Sequence, residues 1–308
     1  MEPTYVVAGR ITREYVLPPS GRPLLDAPGG SALYAAGGLL LWDGSLGLVA
    51  RVGEDYPRPW LKDIQARGLD TDGIEILQQG LDLRSFRAYG EGFELLHGPP
   101  VSQFARRGLT FPKALLGYQD PAEAPLEPRS PDPLSPTASA MPVDYRDARA
   151  AHLCPLDFVT HNQLLTAFGA GTVTTLTLDP SPDYMAPAFL KDLRVLVARL
   201  TAFLPSEEEL RGLFWGQTHD LWEMAAAVGE YGCDVVVVKR GGHGQAVYDV
   251  KGRRRWEVPA YPARPADPTG VGDAFCGGFL AGVRRTYDPV QAALYGHVAA
   301  SLKTEGSG

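Results

Sequence analysis

The chain has 308 residues, 44% of them hydrophobic and 21% charged, which is ordinary for a soluble globular protein and long enough to bury a large core as one α/β domain or two small ones. A formal net charge of −7 argues against general nucleic-acid or acidic-membrane binding. Cys154, Cys233 and Cys276 are odd in number and far apart, so neither a disulfide framework nor a zinc cluster is suggested. The opening Met1-Glu2-Pro3-Thr4-Tyr5 lacks the pattern of a signal peptide, and no apolar run approaches the roughly 18 residues of a membrane span. A cytoplasmic protein that engages neither membrane nor nucleic acid is the expectation.

In chain order, Tyr5 to Gly9 reads as a buried opening strand closed by a glycine, followed by Arg10 to Val16 with an acidic residue at Glu14. A solvated strand-edge charge is one reading of Glu14. Pro28-Gly29-Gly30-Ser31 opens a helix to about Trp42 with Ser31 as its cap; Tyr34 lies in its first turn and is compatible with a core position. Leu46 to Ala50 is a second strand, Pro57 to Arg67 has helical periodicity, and Gly68 to Ile74 turns into another strand. Leu83 to Tyr89 alternates as a strand, with Gly90-Glu91-Gly92 as the turn of a hairpin returning through Phe93 to Leu96. From Pro112 to Pro142 prolines crowd a stretch without apolar periodicity, expected to be an irregular surface segment. Alternating elements then resume: strands are expected at Asp157 to Thr160, Val173 to Leu178 and Ala202 to Leu204, with helical patterns between them. Repeated βα units imply a parallel sheet with ligands at the carboxyl ends of its strands.

Ser206 followed by Glu209 has the spacing of a capping box that opens a helix. Asp234 to Lys239 is an apolar strand of the kind found at a sheet centre. It runs into Arg240-Gly241-Gly242-His243-Gly244, which also reads as a glycine-rich turn because Gln245 to Val250 is strand-like again. Ala266 to Leu280 contains Asp267-Pro268-Thr269-Gly270-Val271-Gly272-Asp273 and then a helix with apolar positions at Phe275, Cys276, Phe279, Leu280 and Val283. Glycines at a helix start let unpaired N–H groups surround an anion, and the positive dipole end would hold a carboxylate at Asp273 ionised. The alternative is that Asp267 or Asp273 merely caps the helix. Tyr287 to Lys303 forms a last helix with Ala292, Ala293, Val298, Ala299 and Leu302 as packing positions, and it ends so near Gly308 that a short tail beyond the given sequence is conceivable. P-loop, zinc-protease, serine-hydrolase and dinucleotide fingerprints are absent.

The segment from Asp267 to Asp273 resembles the Asp-Thr-x-Gly-Ala-Gly-Asp segment of the PfkB/ribokinase family, with Val271 in place of the usual Ala. Most of that family's other segments follow in order. The resemblance implies a ribokinase-like three-layer α/β fold over residues 1–308, with a mostly parallel central sheet flanked by helices. A small β lid would combine strands within about 10–26 and 80–110; exposed lid strands are natural pairing edges, so a homodimer through the lid is one expectation. It further implies transfer of the ATP γ-phosphoryl group to a hydroxyl of a sugar, polyol or nucleoside, with Mg2+ and, as is frequent in the family, a monovalent cation. By position, Asp273 would be the base, and the amides of Gly270, Val271 and Gly272 the anion hole. Glu14, Gly29, Gly30 and Tyr34 would meet the acceptor; Glu14 stands for the usual Asp and Tyr34 for the usual Asn. Lys239, Arg240, Gly241, Gly244 and His297 would bind the nucleotide, and Glu209 would order the metal. A non-catalytic ligand or nucleotide sensor on the same fold is the alternative, opposed by the complete Gly270–Asp273 segment. A structural protein that binds a partner through its Pro-rich stretch is the third.

Overall fold

The structure is a computed structural model that describes residues 3–120 and 129–307. Its first half contains β1 (Tyr5–Ala8), β2 (Thr12–Leu17), β3 (Leu24–Gly29), α1 (Ser31–Leu40), β4 (Leu46–Gly53), α2 (Arg58–Ala66), β5 (Leu69–Leu77), β6 (Arg84–Ala88) and α3 (Pro100–Arg106). After an irregular stretch come β7 (Ala150–Leu153), α4 (Phe158–Gly169), β8 (Thr175–Leu178), α5 (Leu193–Val197), β9 (Ala202–Phe203), α6 (Glu207–Leu213), α7 (Leu221–Gly229), β10 (Val235–Lys239), β11 (Gln245–Asp249), β12 (Arg254–Val258), α8 (Val271–Thr286) and α9 (Pro289–Thr304).

Nine strands form the central sheet in the order β12-β11-β10-β9-β8-β7-β1-β4-β5. It is parallel from β10 to β5, and only β11 and β12 run antiparallel to their neighbours. Side-chain alternation divides its two faces. Val6 and Ala8, with Val236 and Val238, pack toward α4 to α7, whereas Tyr5 and Val7 pack toward α1 and α8, and Val235 and Val237 toward α8 and α9. Both faces are therefore covered by helices, as the repeated βα pattern requires. A separate sheet, β3-β2-β6, supplies the lid: β2 pairs antiparallel with β3 and parallel with β6, over a small core of Tyr15, Leu17, Ala88, Phe104 and Leu115.

Several expected boundaries change. The stretch Asp157 to Thr160 is not a strand: Asp157 caps α4, its carboxylate accepting the Thr160 amide at 2.8 Å. The strand of that βα unit is β7, which starts seven residues earlier and is made of Ala, Ala, His and Leu, without the β-branched signature. The return arm of the 83–96 hairpin reduces to one bridge, Tyr89 to Leu95. The lid strand β3 runs past residue 26 to Gly29, and β12 was without a sequence signal. Gly30, not Ser31, caps α1; the Ser31 hydroxyl instead accepts the Arg10 amide at 3.2 Å. The last helix starts at Pro289, capped by Asp288, and Leu302 faces outward with 54% exposure. Within 112–142 the described residues hold turns and a single 3-10 turn at Lys113–Leu115, while residues 121–128, with Pro121, Pro125 and Pro128, lie outside the described residues. This segment is tied down by the Arg10–Asp132 ion pair and by Arg51, which donates to the Pro133 carbonyl at 3.1 Å.

Candidate active site

The loop before α8 lies at the carboxyl-end side of the central strands. Gly270 caps α8 in the left-handed region, φ 71° and ψ 7°, and an added Cβ would lie 2.2 Å from Cγ of Tyr34. Both facts exclude a side chain there. Asp267 is fully buried and accepts the Thr269 amide through Oδ1 at 2.9 Å, while Thr269 donates its hydroxyl to the Tyr89 phenol at 3.2 Å. The Val271 amide is spent on the Pro268 carbonyl at 3.3 Å, whereas those of Gly270, Gly272 and Asp273 have no protein acceptor among the described residues. Three unpaired donors thus converge at a helix N-terminus, the arrangement that suits an anion.

Asp273 sits in the first turn of α8. The helix start would favour its charged form, but burial outweighs it: the carboxyl is pushed up to about 6, with Lys239 and Arg87 opposing and Glu14 and Glu209 adding to the rise. A carboxyl titrating near 6 is still ionised at neutral pH and is a better proton acceptor than an ordinary aspartate.

The residues expected to meet the acceptor form one contact set. Glu14, on β2, is buried rather than solvated; its Oε1 accepts the Gly30 amide at 3.0 Å and its Oε2 accepts the Tyr34 hydroxyl. An added Cβ at Gly29 would lie 2.3 Å from the Glu14 carboxyl carbon, so glycine is needed for that carboxylate to fit. Burial and the Glu14 charge together raise the Tyr34 phenol well above its usual range, which keeps it a hydrogen-bond donor.

Lys239 ends β10 and pairs with buried Asp179 at the end of β8, with Cys276 of α8 beside both. Its ammonium would lie 3.7 Å from a Cβ at Gly272, directly behind the unpaired amides. Asp179 holds Lys239 above the usual ammonium range, and burial raises Asp179 itself to about 7. Arg240 turns aside to Glu207, donating at 3.0 Å, and its amide closes the glycine turn on the Gly244 carbonyl at 2.9 Å. Gly241 and Gly244 take φ of 54° and 78°; a side chain at Gly244 would collide with the Val258 carbonyl at 2.0 Å and with the 259–260 backbone. His297 is bonded to the Pro259 backbone and held low in pKa by burial, so it borders the same segment as Gly244, with Nε2 unpartnered among the described residues. Glu209 closes the capping box with Ser206: Oε2 accepts the Ser206 amide at 2.7 Å and Ser206 Oγ accepts the Glu209 amide at 3.2 Å. The cap and a metal-side role are compatible, because the second carboxylate oxygen stays available.

Two groups had no usable signal in the sequence. Arg87 of β6, exposed on its strand, has its charged form favoured by Tyr89, Glu14 and Asp273. Lys303, in the last turn of α9, places its ammonium 5.0 Å from the centre of the Tyr34 ring, and burial lowers its pKa. The pairing of Asp179 with Lys239, 60 residues apart, had no such signal either.

The family model described as pfkB family carbohydrate kinase matches residues 118–308, more than half of the chain. The chain belongs to the pfkB family of carbohydrate kinases. It is similar to the cytidine kinase of Thermococcus kodakarensis, 29% identical over 286 residues that cover 91% of this kinase and 88% of that one. Its fold matches that of Burkholderia thailandensis nucleoside kinase in complex with inosine, with a TM-score of 0.69, 19% identity, and coverage of 99% and 92% of the two chains. It also matches a ribokinase-like E. coli protein solved in complex with ATP and magnesium, with a TM-score of 0.70, 18% identity, and coverage of 100% and 94%. The kinase is thus a phosphotransferase on a ribokinase fold, and no described helix is long and apolar enough to cross a membrane.

Proposed function

We propose that this kinase transfers the γ-phosphoryl group of ATP to a hydroxyl of a sugar, polyol or nucleoside, with nucleosides first in line because the cytidine kinase relative spans nearly the whole chain. ATP supplies the phosphoryl group and Mg2+ spreads the negative charge of its phosphates. The observation that carries this reading is the convergence, at one helix start, of Asp273, the three unpaired amides of residues 270, 272 and 273, and Lys239 behind them. Asp273 orients the acceptor hydroxyl and takes its proton at Oδ. The amides receive charge on the transferring oxygens, with Val271 contributing only if its turn to Pro268 opens. The transition state of such transfers is largely dissociative, so position and fixed positive charge matter more than a strong base.

Glu14 accepts from the acceptor's remaining hydroxyls, with Gly29 and Gly30 giving close backbone approach and Tyr34 fixing the carboxylate. Lys239 lies nearest the phosphates, Arg240 joins them only if its pair with Glu207 opens, Gly241 and Gly244 border the nucleotide, and His297 lies behind the Pro259 segment on the base side. The residues fit a magnesium ion held mainly by nucleotide phosphates and water: no cluster of three ligating side chains occurs among the described residues, and Glu209 retains one free carboxylate oxygen. No residue is assigned to a monovalent cation. The lid edge at β3 supports dimerisation through that sheet, and sedimentation velocity giving a monomer at assay concentration would exclude it.

The test is ADP release from Mg-ATP with cytidine, inosine, uridine, ribose and a polyol series, with Asp273→Asn as control. Turnover with one acceptor that disappears in the variant supports the assignment. Full activity of the Asn variant removes Asp273 as base.

A further inference from the structure

At the amino-end side of the central sheet, opposite the site above, a cavity of about 380 Å³ is lined by Thr4, Tyr5, Asp43, Arg149, Arg284, Arg285 and Tyr287. That volume is within the usual range for small-ligand sites. Three guanidinium groups face a single carboxylate. The C-terminus of α8 contributes about half a negative charge more, so the cavity keeps a clear positive excess.

The local bonding leaves this charge available. Arg285 donates to the Trp42 carbonyl and lies 3.8 Å from Asp43, which it offsets. Arg284 donates through Nη1 to the Tyr287 phenol at 2.6 Å, and its Nε is buried without an acceptor among the described residues. Arg149, just ahead of β7, uses its backbone to join Thr4, Thr174 and Thr175, while no hydrogen bond or ion pair of its guanidinium occurs among the described residues. Tyr287 holds the left-handed conformation at φ 54° that glycine usually fills at a helix end, and its ring is 75% exposed at the cavity rim. Tyrosine there costs backbone strain yet places a phenol and a ring face beside the arginines.

We propose that this cavity binds a phosphate monoester or free phosphate, the dianion lying between Arg149 and Arg284 with Arg285 behind. Planar guanidinium forks match phosphate oxygens in pairs, and Arg284 and Arg149 hold the unused donors such an ion needs. The exposed face of Tyr287 leaves room for the organic part of an ester. Neither this ligand nor its position depends on the phosphoryl transfer assigned above.

The experiment is calorimetric titration of the full chain, with a non-hydrolysable ATP analogue and Mg2+ present at saturation, using inorganic phosphate and ribose 5-phosphate in separate arms. Wild type should bind at least one of them. Arg149→Gln should weaken that binding about tenfold, and Arg149→Gln/Arg284→Gln should abolish it, while Asp43→Asn should tighten it. Kinase turnover without added phosphate should stay as in wild type for Arg149→Gln. Stronger binding of the ester names a phosphorylated metabolite, and equal binding names phosphate itself. No binding to wild type, or equal binding by Arg149→Gln, overturns the proposal. Arg149→Gln breaks no side-chain hydrogen bond or ion pair among the described residues, so the result stands even if the double variant fails to fold.

Discussion

Replacing Asp273 by Asn should stabilise the fold while it removes turnover. The carboxyl is raised from an ordinary 3.8 to about 6, mostly by burial. Each pH unit of that difference is worth about 1.4 kcal/mol, so keeping the group charged costs up to about 3 kcal/mol, or about 1–3 kcal/mol once partial solvent contact is allowed for. The sign follows from linkage. A carboxyl whose folded pKa lies above its unfolded one binds its proton more tightly in the folded state, so the penalty is fully present above about 6 and gone below about 4. Asn carries no charge, so the variant should unfold at higher urea than wild type at pH 8, and the gap should close as pH falls from 6 to 4. In the same range the wild-type kcat/KM should fall on the acid side with an apparent pKa near 6, and loss of the base should cost about 10²–10⁴-fold in kcat. Urea denaturation at several pH values, with a pH–rate profile, reads both effects. An Asn variant less stable than wild type at pH 8, or a stability gap independent of pH, would refute the claim that Asp273 is held charged against burial.

Tyr34→Phe removes the donor to a buried carboxylate oxygen of Glu14; it should cost about 1–3 kcal/mol of stability and raise KM for the acceptor while leaving KM for ATP nearly unchanged. Steady-state kinetics with each substrate varied would show the split, and an unchanged acceptor KM would remove Tyr34 from the acceptor side. Gly270→Ala forces a Cβ into the Tyr34 ring at a left-handed φ; about 2–4 kcal/mol of stability should be lost with most of kcat, as urea midpoints and initial rates would show. Asp179→Asn leaves Lys239 buried without its counter-charge; a loss of about 3–5 kcal/mol is expected, and Asp179→Asn/Lys239→Met should recover part of it. A double variant no more stable than the single one would mean that the pair contributes through something other than charge.

The fold was legible where residues obey a period. Val235 to Val238 reads as a buried strand because both sheet faces are covered, and Phe275, Cys276, Phe279, Leu280 and Val283 read as one helix face because all five turn inward. β7 was not legible: two alanines and a buried histidine carry no β signature, and His152 is tolerated only because Thr177 on the next strand meets its Nδ1 at 2.9 Å. The apolar Phe158-Val159 looked like that missing strand, yet the Asp157 cap makes it a helix start. At the site, the loop from Asp267 to Asp273 could be read because its chemistry resides in consecutive residues. Arg87 and Lys303 could not, since their positions come from the lid and from the far end of the chain. The raised pKa of Asp273 was out of reach for a related reason: the dipole end is local, whereas burial is a property of the assembled fold.

The contacts of Glu14 and Tyr34 with each other and with Gly270 show why these two substitutions in the family pattern belong together. Glu14 is one methylene longer than Asp, and it reaches the Gly30 amide and the Tyr34 hydroxyl only because Gly29 leaves space for its carboxyl group. An Asn at position 34 would be too short to span from α1 to that carboxylate while also filling the space under Gly270; the tyrosine ring does both. The lid strand β2, the helix α1 and the loop that starts α8 are therefore joined through one side chain.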